Sequence, residues 1–354
     1  MPDQSLGEQV KNDIQSLQTS MRDLQTSVRM TDIRDSVEDL QTTVNGLDRR
    51  IESLRERGYA FEKDLEEMAA DFEKDWTEIA PNLEVQIEKE ASSMERSLRP
   101  LETQVAQLAG ESGAPAALRP RVTRLESQLE SLEGRVEAAE RSIRGRYDQF
   151  SSDVQKLKYH LTKLEWMLTE LSEASFELLA TESGIMAVKA VWAKGGEKHK
   201  DDPEGVLYLT DQRILFEQKE KVATKKVLFV TTEKKLVQEL LWQTPLALIE
   251  ETKARKEGFL NKDDFIEVRF GSGAPFDALH IHIWQPGDEW KALLKRAKAK
   301  EFDATRAIAI DKAAAKKVKD APTKCSSCGG VINQVVLRGM ESITCEYCGA
   351  VVRL

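Results

Sequence analysis

Four cysteines, Cys325, Cys328, Cys345 and Cys348, are the only thiols in the 354-residue sequence, and all fall within its last thirty positions. They form two C-x-x-C pairs separated by sixteen residues, a spacing that suits one tetrahedral zinc ion. Two thiolates two residues apart reach one ion when the backbone turns tightly after the second. Gly329 and Gly349 stand where that turn needs a positive φ. With sulfur in all four positions no site is left for water, so the ion is structural, one Zn²⁺ per chain. Redox use of either pair is the alternative. It calls for a strand–helix setting that the flanking sequence does not supply.

Other groups offer weaker chemistry. His280 and His282 alternate around Ile281, which puts both imidazoles on one strand face, but no third ligand accompanies them at a metal-site spacing. The expectation there is an exposed strand face. Lys219, Lys221, Lys225 and Lys226 form a basic cluster that can attract an anionic surface weakly, at ~1 kcal/mol per charge, or can simply solvate a loop. No phosphate-binding loop, nucleophile elbow or metalloprotease helix is present. No catalytic residue is assigned, and an enzyme is not expected.

The elements that must position these groups follow from periodicity. Residues 324–354 are too few to bury a self-sufficient core, so the metal must supply stability. Between the two pairs "VINQVVLRGMESIT" reads as a hairpin bent at Arg338-Gly339, with "AVVRL" as a third strand. Residues 301–323 are rich in alanine and lysine and read as a basic helical linker ended by Pro322. Upstream, 181–300 has strand period: "GVLYLTDQRILFEQ" is a hairpin around Thr210-Asp211-Gln212, and "KKVLFVTT", "DDFIEVRFG" and "DALHIHIW" follow. "QPGDEWKALLKRAKAK" then turns helical, with Trp290, Leu293, Leu294 and Ala297 on one face.

The stretch 182–300 resembles the GRAM and pleckstrin-homology (PH)-like superfold. The resemblance rests on "GVLYLTDQRILF", similar to that family's Gly-apolar-Thr-x-x-Arg-apolar hairpin, and on Trp290 in the closing helix. It implies a small antiparallel PH-like β-barrel capped by a C-terminal helix, and binding of lipid headgroups or proteins. In such domains cations sit in the first loop and on the next strand. Here the loop offers Lys194, Lys198, His199 and Lys200, whereas the strand "VLYLT" carries none and Asp201, Asp202 and Glu204 intervene. Residues 324–354 resemble the short zinc ribbons.

The first half is different in kind. From Val10 apolar residues recur in steps of four and three through Leu24 and Val28, slip phase near Met30, and continue through Leu54, Phe61, Leu65, Met68, Phe72 and Trp76 to Leu108. The seam resumes at Val122 and runs to Leu171, with a stutter at Tyr147. This predicts a coiled-coil arm over 1–108, a Gly/Pro break over 109–120 and a second arm over 121–180, with Pro81 and Pro100 segmenting the first. A seam so narrow fits a partner helix, either in another chain or in an intrachain hairpin.

The fold expected is thus multidomain α+β: coiled-coil helices, PH-like barrel, zinc ribbon. The chain is 32% charged and only 6% aromatic, with a net charge of −9, and the acidic excess precedes residue 181. That part is a poor nucleic-acid surface. No signal peptide or spanning apolar run is seen, so a cytoplasmic location is expected, with peripheral membrane contact an option. The function expected is a non-catalytic scaffold or adaptor that self-associates through its coiled coil and docks an unidentified protein, or a membrane surface, through the PH-like module and the ribbon. The alternative is a nucleic-acid-associated regulator using ribbon and basic linker.

Overall fold

In a computed structural model the described residues are 5–227, 230–257, 262–310, 313, 316, 318 and 320–354, with side chains described outside 222–234. They divide into two compact units, residues 1–48 with 67–158 and residues 49–66 with 159–354. Five long helices come first: α1 Leu6–Ser27, α2 Thr31–Glu56, α3 Leu65–Gly110, α4 Pro115–Arg144 and α5 Asp148–Ser172. None is long and apolar enough to cross a membrane among the described residues.

The first unit is helical. Ser5 and Glu8 start α1 with a reciprocal capping box. α1 packs on α4, and Gln25 donates to Glu102 at 2.7 Å while Arg34 pairs with Glu88 at 2.9 Å. Trp76 donates its indole N–H to Gln41. Partner numbers on α3 fall as those on α1 and α2 rise, so these helices run antiparallel. Trp76 also stacks on Phe150 of α5, ring centroids 5.4 Å apart. The seam residues Leu17, Leu24, Val44, Leu83, Leu98, Leu129 and Val136 are buried within this one chain, which takes the intrachain alternative, as three helical passes rather than a two-armed hairpin.

Several expectations about the helices change. α3 runs unbroken through Pro81 and Pro100. Each proline costs about 3 kcal/mol in an interior helix, but buried Ala80 and Leu83 flank the first and Leu98 and Leu101 the second. Burial of a leucine, at about 1.5–3 kcal/mol, offsets the loss. The seam does stop where it was expected to continue, after Glu56. The amides of Gly58 and Tyr59 bond back to Arg55 and Leu54 at 2.9 Å, with Gly58 at φ 91°, which is a glycine-terminated helix end. Met68 is consequently exposed. The Gly/Pro break shortens to residues 111–114, with Pro115 starting α4, and the stutter at Tyr147 is a turn between α4 and α5.

In the second unit, residues 57–64 form a turn that buries Tyr59, Ala60 and Phe61. Arg55 donates to the carbonyls of Tyr59, Phe61 and Glu62. Glu62 accepts from Tyr59 Oη at 2.8 Å and lies 2.7 Å from His160 Nε2. Seven antiparallel strands follow α5: β1 Gly184–Trp192, β2 Glu204–Thr210, β3 Arg213–Val227, β4 Val230–Pro245, β5 Ile249–Glu257, β6 Asp263–Phe270 and β7 Ala278–Ile283. They form one sheet in the order β4-β3-β2-β1-β7-β6-β5. The hairpin at Asp211-Gln212 stands where the sequence placed it. The barrel does not close, because β4 and β5 are edges that do not pair with each other.

Helix α6, Gly287–Lys298, packs on β5 and β6 and buries Trp290, Leu294 and Ala297. The linker is helical only over α7, Glu301–Ala304, and at Ala313, Lys316 and Val318 among its described residues. After α7 the chain pairs with the 57–64 turn, Ala307 N–H to the Ala60 carbonyl and Lys63 N–H to the Thr305 carbonyl, both at 2.9 Å. The last element is a two-stranded hairpin of β8 Ser342–Thr344 and β9 Val351–Arg353.

Two outcomes test this arrangement. Leu129→Ala should destabilise the chain by about 2–5 kcal/mol, with a thermal midpoint unchanged on dilution; a midpoint that climbs with protein concentration would place the seam between chains. Burial alone would raise the Glu62 carboxyl, but hydrogen bonding and charge from His160 outweigh it and hold Glu62 below its usual 4.5. Its contribution is therefore complete above that value and lost as pH falls through the folded one. Glu62→Gln should flatten the acid limb of a urea-stability profile; an unaltered limb contradicts the assignment.

Candidate metal centre

The two C-x-x-C segments adopt one conformation twice. Gly329 and Gly349 both have φ 72°, and each donates its N–H to the carbonyl of Cys325 or Cys345 at 2.9 Å. The amides of Cys325 and Cys345 donate in turn to the carbonyls of Gly330 and Ala350 at 2.8 and 2.9 Å. The exact repeat over a twenty-residue offset turns all four sulfurs toward one point.

Those sulfurs lie within 4.8 Å of one another, and they are the cluster able to hold an ion among the described residues. Cys325 Sγ is 3.7 Å from Cys348 Sγ, and Cys328 Sγ is 3.7 Å from Cys345 Sγ. A tetrahedron with Zn–S bonds of ~2.3 Å has sulfur–sulfur edges near ~3.8 Å. The donor set therefore fits zinc. Hydrogen bonds from the N–H groups of Cys328 and Ser327 lower the Cys325 thiol to about 6. The Ala350 N–H acts the same way on Cys348, but its thiol neighbours and burial win and push it up to about 12. Four thiols this close cannot all ionise without a cation among them.

The core beneath is small: Cys325, Cys345, Ile343 and Val352, with Ile332, Val336, Met340, Ala350 and Leu354 packed around them. The turn at Arg338-Gly339 is present, Met340 N–H to the Leu337 carbonyl at 3.2 Å with Gly339 at φ 87°. Residues 333–337 are not a strand, however, and "AVVRL" pairs directly with Ser342–Thr344.

Sequence reasoning missed the ionic groups around the β2–β3 turn. Arg213 forks onto buried Glu182, and Thr210 Oγ1 bonds Glu182 and the amides of Gln212 and Arg213. Asp211 accepts from the Ser183 N–H at 3.1 Å and pairs with both Arg306 and Arg338. Burial raises the Asp211 carboxyl despite these partners. The available signal was Asp211 itself, a carboxylate at a hairpin turn with two arginines far along the chain.

The remaining candidates disperse. Lys219 is held between Glu170 and Glu173, 2.8 Å from each. Lys221 is exposed, and the side chains of Lys225 and Lys226 lie outside those described. In the first loop Lys194 sits over Trp192 and Lys198 over Trp284. His280 and His282 do share a strand face, but His282 is buried rather than exposed. Burial and the Lys198 charge lower its pKa. His280 lies 3.2 Å from Arg255.

No protein-family model and no curated protein matches the chain. Among solved structures, the DH/PH fragment of PDZ-RhoGEF, crystallised in complex with human RhoA, aligns at 13% identity over 83% of this chain and 93% of that one, TM-score 0.23. The DH/PH domains of p115-RhoGEF align at 13% identity over 84% and 95%, TM-score 0.21. Likeness at that level carries no argument about fold or activity.

One zinc per purified chain is expected by elemental analysis, held by Cys325, Cys328, Cys345 and Cys348. Cys345→Ser should lose it to a competing chelator. Retention of full occupancy in that variant would remove the cysteines from the site.

Proposed function

We propose that the chain is a non-catalytic, cytoplasmic scaffold or adaptor, with a PH-like docking module and a zinc ribbon whose metal is structural. The observation that carries this is the closed thiol set: four sulfurs converge at tetrahedral spacing, so a bound ion has no position for water or substrate.

The partner class favoured is protein. β4 and β5 are open sheet edges, whose backbone donors and acceptors suit an added strand. The sequence cluster proposed for anionic surfaces is weakened by the pairing of Lys219 with Glu170 and Glu173. Any membrane contact is therefore weak and salt-sensitive. Self-association through the seam has no support, since the seam is covered within the chain.

Cross-linking of the intact, zinc-loaded chain in the cells that make it tests the reading. Recurrent links from one protein to Lys235, Lys253 or Lys256, on the two edge strands, are expected. Recovery of nucleic acid instead, released steeply by salt, would favour the regulator alternative and overturn the scaffold.

A further inference from the structure

The β2–β3 turn is an interaction surface, and its occupant is the tip of this chain's own ribbon. The side-chain amide of Gln212 bonds both backbone groups of Arg338: its Oε1 accepts the Arg338 N–H at 2.6 Å and its Nε2 donates to the Arg338 carbonyl at 2.8 Å. The guanidinium then donates to Thr181 Oγ1 at 3.1 Å and to the Thr181 carbonyl at 3.2 Å, and pairs with Asp211. Asp211 and Arg338 side chains are 4% and 14% exposed, so the pair is largely removed from water.

Gly339 completes the fit. Its φ is 87°, and a Cβ there would lie 2.8 Å from the Ala180 nitrogen and 3.1 Å from Leu179 Cβ. The position thus requires glycine for its backbone angle and again for the close approach. The neighbouring tip residues are fixed from the other side, since Val336 and Met340 pack against the ribbon core that contains Cys325 and Cys345. That core is too small to hold its shape alone.

We propose that zinc binding and engagement of the β2–β3 turn are one coupled equilibrium, so that the ribbon acts as a metal-dependent clasp. Loss of the metal releases Arg338 from Asp211, Thr181 and Gln212. It also opens the crevice of about 920 Å³ that Leu337 and Met340 line together with Leu179, Pro245 and Leu248. Arg306 of the linker shares the Asp211 carboxylate and keeps that charge paired when the ribbon leaves. Because coupling is reciprocal, the factor by which zinc favours the contact is the factor by which the contact favours zinc, so removing the contact must weaken zinc binding by that coupling factor.

The inference rests on the assignment of zinc to the four cysteines, and the test separates the two. Zinc affinity of the intact chain is measured by competition with a chromophoric chelator, for wild type, Gln212→Ala and Arg338→Ala. Gln212 lies 126 positions from Arg338, outside the ribbon, so it can affect the metal only through the contact. Both variants should still bind one zinc, with affinity lowered roughly 5–150-fold, and Arg338→Lys, which keeps charge but not the fork, should fall between. Hydrogen exchange on the same intact chains should show faster exchange over 179–183 and 211–213 in chelated wild type and in both zinc-loaded variants. If wild type binds no zinc, the metal assignment itself fails. If zinc binds but Gln212→Ala has wild-type affinity, or chelation leaves 179–183 and 211–213 as protected as before, the clasp is overturned.

Discussion

Four thiols within 4.8 Å of one another are mutually repulsive once ionised, and a divalent cation is what makes their closeness favourable. The last thirty residues depend on that single interaction. Their apolar core holds Ile343 and Val352 with the two inner cysteines, far less surface than a free-standing domain requires. The paired Gly329 and Gly349 turns, the short β8–β9 ladder and the Arg338-Gly339 tip are geometry that an ion held by the four thiols would keep in place.

From the tip inward, the second unit is organised by charges kept out of water. Glu182 and Arg213 are nearly unexposed, and Asp211 serves Ser183, Arg306 and Arg338 at once. Such groups contribute little net stability as pairs, yet removing one partner leaves an uncompensated buried charge. The turn after β2 fixes where the ribbon and the linker arrive, and Arg306 over the buried Phe61 ring ties the same linker to the turn between α2 and α3.

Much of this was legible in the sequence because its signals are local. Cysteine spacing gave the donor set, period two gave the strands around Asp211-Gln212, and Trp290 marked the buried face of α6. What was not legible depends on contacts between distant residues. A 3.5-residue seam looks the same whether its partner lies in the same chain or another, and so the three passes were hidden, although Gly58 after Glu56 was a readable stop. Pro81 and Pro100 broke nothing because the packing beside them outweighed a local penalty. Closure of the sheet depends on whether β4 meets β5, which no pattern within either strand records. Lys219 looked like a surface cation until Glu170 and Glu173 on the preceding helix end were placed beside it, and His282 looked exposed until Phe265 and Trp284 enclosed it.

A structural role for the ion requires that sulfur alone surround it. X-ray absorption at the zinc edge of the intact chain measures that shell directly. Four sulfur scatterers at ~2.3 Å, with no nitrogen or oxygen in the first shell, is the predicted result. A mixed shell, or a chain that takes up no zinc under conditions where it is folded, would contradict it.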